Sequence, residues 1–176
     1  MCIRDRARPC RLNGGKPRAV QLHVRDERLG YVGEITKVDV RPILDVIDKG
    51  YIPVVSTVGC DTQGHVYNIN ADTAAAEIAI ALHAEKLVSM TDIVGLLYDK
   101  NDESTLIPEV EVSEIEGYKA AGVIVGGMLP KIEGMADAIY EGVHEAVIID
   151  GRVPHSILLE MFSDLSLIHI SEPTRP

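Results

Sequence analysis

The chain has 176 residues, enough for one domain with a real core, and its 46% hydrophobic and 25% charged residues are those of a soluble globular protein. A net charge of −10 excludes a general nucleic-acid or anionic-membrane surface, which needs a basic face, but leaves room for phosphate held by a few local cations and backbone N–H groups. No apolar run is long enough to span a bilayer and the charged N-terminus lacks a signal-like stretch. Cys2, Cys10 and Cys60 show neither pairing logic nor metal-ligand spacing, so a cytoplasmic protein without a metal centre is expected.

In chain order, Val32 to Val38 alternates loosely and predicts a strand. Pro42 opens a short helix with Ile43, Leu44 and Ile47 on one face, stopped by Gly50. Tyr51 to Val58 is β-branched and predicts a buried strand. Asp61-Thr-Gln-Gly64 is a turn, and His65 to Asn70 returns as the second arm of a hairpin. Thr73 to Ala84 is a helix apolar nearly all round. Lys86 to Met90 is a strand, and Ser113 with Glu116 fits a capping box for a helix ending before Gly122. Pro130 starts a helix with Ile132, Met135, Ala136 and Ile139 on one stripe. Glu145 to Asp150 is a strand, and Pro154 opens a last helix through Met161. Strands alternating with helices imply an α/β fold of βαβ units, with a mainly parallel open sheet covered on both faces as a three-layer αβα sandwich.

The most informative run is Tyr67-Asn-Ile-Asn-Ala-Asp72. On a strand, alternate residues share a face, so Asn68 and Asn70 point the same way, and Asp72 falls where the strand gives way to a helix. Two amides and a carboxylate then gather at the carboxyl edge of a strand, where open α/β sheets bind ligands. Asp72 is equally readable as a helix N-cap. Asn is depleted in strands, so the amides are harder to assign to structure alone.

This run, with Thr91-Asp92, Gly126-Gly-Met-x-Pro-Lys131 and Asp150-Gly-Arg-Val-Pro-His155 in that order, resembles the N-acetyl-L-glutamate kinase family of the amino acid kinase superfamily. The resemblance runs from about Asp26 to Asp164. It implies ATP-dependent phosphorylation of the side-chain carboxylate of N-acetyl-L-glutamate, the second step of arginine biosynthesis, with ATP and Mg2+ as co-substrate. A homo-oligomeric enzyme is implied, with L-arginine as the inhibitor in arginine-sensitive members.

The resemblance also distributes roles. Lys131, expected in the first turn of its helix, matches a lysine that neutralises charge on the bridging and transferred phosphate oxygens. Phosphoryl transfer asks a protein mainly for positioning and positive charge. A cation near a helix N-terminus is locally unfavourable, which suggests an external anion; from the residues alone a solvated surface lysine is the competing reading. Gly126 and Gly127 can bring backbone close to phosphate, or form an ordinary turn. Asp72 matches the carboxylate that organises two catalytic lysines, and Asn68 a contact to the acetylglutamate carboxylates, with Asn70 a second amide donor. Thr91, Asp92, Gly95 and Tyr98 match the nucleotide loop, Tyr98 bordering adenine; Asp92 alone could be a loop cap. His155 matches a residue of the arginine site in inhibited relatives, though a lone histidine at a helix start is more often structural.

The expected organisation is residues 12–164 as the nucleotide-binding half and part of the substrate half of such a domain. Residues 1–11 and 165–176 read as translated adapter sequence rather than evolved termini. A first catalytic lysine with its Gly-Gly turn, a glycine-rich acyl-binding turn and a carboxylate-gripping arginine are not found, so the chain reads as N-terminally truncated, inactive alone, with an exposed sheet edge. Other superfamily kinases, and a non-catalytic nucleotide- or arginine-binding module, are the alternatives.

Overall fold

The computed structural model describes residues 20–24, 32–61, 63, 65–93, 95–99, 101–162 and 168–171. The expectations for residues 1–11 and for the chain ends at 163–167 and 172–176 lie outside these. The chain divides at Leu82 into two compact units, residues 1–82 and 83–176.

In the first unit, strands β1 (Val20–Val24) and β2 (Gly33–Val38) pair antiparallel, with an irregularity between Gln21 and Leu22. The composition did not single out β1. Helix α1 (Arg41–Ile47) carries Pro42 in its first turn, where its missing N–H costs nothing, and Gly50 follows with φ +75°. Of its expected stripe of Ile43, Leu44 and Ile47, Ile43 is buried, as is the opening Pro42, while Leu44 and Ile47 are exposed.

Residues 51–56 do not form the buried strand expected there; Ile52 is 72% and Val54 64% exposed. A buried strand needs ladder partners, and none of the described strands pairs with this stretch. Regular pairing begins only at β3 (Val58–Cys60), which forms the expected hairpin with β4 (Val66–Asn68). Asp61 locks the turn: Oδ1 accepts the N–H groups of Gln63 and His65 at 2.9 Å each, and Oδ2 accepts the Tyr67 hydroxyl at 3.1 Å. The sheet order is β2-β1-β3-β4, with β1 and β3 parallel.

Helix α2 (Ala71–Leu82) starts two residues earlier than its apolar pattern suggests. Asn70 is the reason: its side-chain oxygen accepts the Thr73 N–H at 3.1 Å, satisfying an orphan donor of the first turn. Ala74, Ala76 and Ala79 are buried, and Ala74 packs with Tyr67, Ile69 and Ile35 as the core of this unit.

The second unit is built on β5 (Lys86–Thr91), β6 (Glu109–Glu111), β7 (Glu145–Asp150) and β8 (Ile168–Ser171), in the order β5-β7-β8-β6. β5 and β7 run parallel in register from Lys86↔Glu145 to Thr91↔Asp150; β7 and β8 are antiparallel and β6 and β8 parallel. The α/β character and the hairpin are as expected; the sheet comes as two four-stranded mixed sheets. Residues 168–171, set aside as foreign tail, form an inner strand with Ile168 and Ile170 buried. β5 is an edge strand of this sheet.

Three helices complete this unit. A 3-10 turn at Val112–Glu114 leads into α3 (Ile115–Ala120). The capping box there is Glu111 with Glu114, not Ser113 with Glu116, because Glu114 Oε2 reaches back to the Glu111 N–H at 3.3 Å. Glu116 instead pairs with Lys119 at 2.7 Å, one turn on. Helix α4 (Met128–Tyr140) begins before Pro130, which its first turn tolerates, and buries Ile132, Met135, Ala136, Ala138 and Ile139. Helix α5 (Ser156–Phe162) starts after His155, not at Pro154, because His155 has the left-handed φ of +63°. Both α4 and α5 pack on β7, whose Ala146 to Ile148 are fully buried.

Candidate active site

The carboxyl ends of β5 and β7 meet at one edge of the second unit. The Gly151 N–H donates to the Thr91 carbonyl at 2.8 Å, tying the two strand ends together. A Cβ at Gly151 would lie 3.3 Å from that carbonyl oxygen and from Met90 Cε, so this close approach favours glycine. Gly126 at φ +59° turns the chain into Gly127, the N-cap of α4.

Here lies a cavity of about 710 Å³ lined by Met90, Thr91, Asp92, Ile93, Val125, Gly127, Met128, Lys131, Gly151 and Arg152. An apolar wall with a few convergent polar groups is the usual make-up of a small-molecule site. The start of α4 adds the positive end of a 13-residue helix dipole.

Lys131 is only 9% exposed, so it is no solvated surface lysine. It stands at the fourth helical position rather than in the first turn. Its Nζ donates to Ser89 Oγ at 2.8 Å and to the Met90 carbonyl at 3.4 Å. Burying an ammonium is costly unless hydrogen bonds replace water, and these two acceptors on β5 supply that replacement.

Arg152 is the second cation of the lining. Its Nε and Nη2 fork onto the Asp150 carboxylate at 2.9 and 2.7 Å, and its backbone N–H donates to Asp150 Oδ1 at 2.8 Å. These hydrogen bonds from Arg152, side chain first, hold the Asp150 carboxyl below its ordinary value of 3.8. The same Asp-x-Arg fork occurs at Asp39 and Arg41 in the first unit.

Thr91, Asp92, Gly127 and Lys131 are thus brought to one cavity. Gly126 precedes the wall, while Gly95 and Tyr98 are not in the lining. Tyr98 is 64% exposed and meets Tyr118 edge-to-face, ring centroids 5.7 Å apart, with the hydroxyls 3.4 Å apart. The Tyr118 hydroxyl is pushed up to about 12, chiefly by that hydrogen bond. His155 is exposed in the turn after β7. In the first unit, burial alternates through Tyr67, Asn68, Ile69 and Asn70, so the two amides share the open face as expected. Asn70 is however engaged as the cap of α2, the role Asp72 was alternatively given. Asp72 lies in the first turn of that helix, half-buried.

The sequence reading assigned no role to Ser89, Gly151 or Arg152. Ser89 carries only the faint signal of a hydroxyl in an apolar strand, whereas the Asp-x-Arg spacing at a strand end is legible. Away from the cavity, Glu145, Glu160 and His169 place donor atoms within 4.8 Å of one another. The Lys86 ammonium stands 2.9 Å from both carboxylates.

The chain belongs to the amino acid kinase family, whose model matches residues 12–150. Within it, the chain is similar to the acetylglutamate kinase of Actinobacillus pleuropneumoniae serotype 5b: 61% identical over 133 residues, 76% of this chain and 47% of that protein. The acetylglutamate kinase of Brachyspira hyodysenteriae is 49% identical over 150 residues, 85% of this chain and 52% of that one. The chain spans about half the length of the curated relatives it matches. Among solved structures, N-acetylglutamate synthase from Neisseria gonorrhoeae, complexed with coenzyme A and L-arginine, superposes with a TM-score of 0.74 at 25% identity, over 88% of this chain and 36% of that one. Carbamate kinase from Giardia lamblia bound to AMP-PNP, at 14% identity and TM-score 0.67, covers 89% of this chain and 60% of that one and shares the fold.

Proposed function

We propose that these residues carry the nucleotide-binding part of an acetylglutamate kinase, which transfers the γ-phosphoryl group of ATP to the side-chain carboxylate of N-acetyl-L-glutamate. The observation that carries this reading is the buried Lys131 ammonium in a cavity at the carboxyl ends of two parallel strands, beside the start of α4. The 61% and 49% identities to acetylglutamate kinases support the acceptor.

In the reaction, a carboxylate oxygen of the acceptor attacks the γ-phosphorus and the bond to the β,γ-bridging oxygen breaks, leaving ADP. No base is needed, because the acceptor is already ionised near neutral pH. Lys131 neutralises charge on the bridging and transferred oxygens, and the Gly126-Gly127 turn brings backbone to the phosphates. Thr91 and Asp92 contact ribose or phosphate. Mg2+ enters with the nucleotide as part of the substrate, and the exposed Asp92 carboxylate is a donor of the kind that suits it. Gly95 and Tyr98 extend the nucleotide site in this reading. Asp72 keeps the organising role, and Asn68 and Asn70 that of amide donors to the acceptor; Asn70 does so through its NH2, since its oxygen caps α2. His155 marks an L-arginine site.

The test is a coupled ADP-release assay on a full-length enzyme carrying these residues. Acetylglutamate-dependent turnover that Lys131→Met abolishes is the expected result. Turnover with a different acceptor, such as aspartate or carbamate, and none with acetylglutamate would overturn the assignment.

A further inference from the structure

We propose that Arg152 is a second phosphate-recognising cation of the cavity, held there by Asp150, and that it makes the site discriminate by the number of phosphates on the ligand. This rests on the reading of the cavity as a nucleotide site. Arg152 and Lys131 both line the same cavity, from different elements: Lys131 on α4, Arg152 on the turn after β7.

The Asp150–Arg152 pair is asymmetric. The carboxylate is 14% exposed and the guanidinium 54%. An anion entering the cavity therefore meets the guanidinium before the carboxylate that neutralises it. The carboxylate takes the Nε and Nη2 edge of the fork, and the backbone N–H of Arg152 bonds the same oxygen as Nε. A planar guanidinium oriented by this fork loses little rotamer freedom when phosphate oxygens arrive. Gly151 joins this turn to Thr91, another lining residue, so the cation is fixed to the strand ends rather than to a free loop. Lys131 sits deep and Arg152 more openly, an arrangement that suits an extended polyphosphate better than a single phosphate.

The experiment is equilibrium dialysis of the chain against Mg-ATP, Mg-ADP and adenosine, at low and at physiological salt. Arg152→Gln should weaken Mg-ATP by about tenfold, the loss of one charge-assisted contact, weaken Mg-ADP less, and leave adenosine unchanged. Arg152→Lys should restore part of the loss, and Asp150→Asn should weaken Mg-ATP while sparing adenosine. Equal weakening of all three ligands would mean a purely structural arginine and would overturn the proposal, as would unchanged Mg-ATP binding. In the second case the nucleotide reading stands and only the role of Arg152 falls. If the unaltered chain binds none of the three, both fall together.

Discussion

The Lys131 ammonium is the group on which the proposed chemistry turns, and Ser89 and the Met90 carbonyl hold it in place. In a full-length enzyme carrying these residues, Lys131→Met and Asp72→Ala are expected to cut turnover far more than they raise the Michaelis constant for ATP, since both would act on the transition state. Steady-state kinetics at varied ATP decides it; near-normal turnover would return either residue to a structural role. Asn70 is open to a separate test. Its carboxamide oxygen caps α2, so Asn70→Ala should lower stability by about 1 kcal/mol in urea unfolding, a typical N-cap loss. Asn68→Ala, at an exposed position, should stay within about 0.5 kcal/mol. The sequence placed both amides on one face but offered the cap role to Asp72 and not to Asn70, because Asn and Asp serve equally well as caps.

At the scale of elements, burial sorts the chain more sharply than hydrophobicity does. Tyr51 to Val55 and β7 are both β-branched and apolar. Only β7 has ladder partners on both sides and helices packed against it. Amide hydrogen exchange should therefore protect Ala146 to Ile149 most strongly and leave residues 52–56 nearly unprotected. Strong protection across 52–56 would restore the strand that their composition suggests. Periodicity made the helices and β5, β7 and the hairpin legible. It missed β1, and it misplaced helix starts at Asn70, Glu111 and His155, where a side-chain oxygen or a left-handed φ decides the boundary. The cavity was legible through Thr91-Asp92, Gly127 and Lys131; the other lining residues Gly151 and Arg152 were quoted as a motif without a role.

For the whole molecule, ion pairs set a pH window for stability. Asp39 is lowered from 3.8 to about 2, first by its side-chain hydrogen bond with Arg41, and Asp150 and Asp102 are lowered likewise by Arg152 and Ser104. A depressed carboxyl contributes stability above its unfolded value and loses it as pH falls through the folded one. Thermal melts should accordingly drop as pH falls from about 3.8 towards about 2. Lys86 runs the other way: burial pulls it down, but hydrogen bonds to Glu145 and Glu160 outweigh that and leave it raised. Its contribution is complete below 10.5 and disappears as pH rises beyond. Glu160, with its side chain 1% exposed and Oε2 lacking a partner among the described residues, depends on Lys86. Lys86→Met should cost about 3–5 kcal/mol, the usual penalty of stranding a buried charge, and flatten the alkaline limb.

The central claim is that these residues hold nucleotide, and calorimetric titration of the chain tests it most directly. The account predicts weak binding of Mg-ADP that Lys131→Met abolishes. It also predicts little or no binding of acetylglutamate and no detectable turnover of acetylglutamate with Mg-ATP, because the first lysine and the acyl-binding turn implied by the family resemblance are not among the 176 residues. Tight acetylglutamate binding with no response to Mg-ADP would contradict it, and would make this the acceptor-binding part of the enzyme instead.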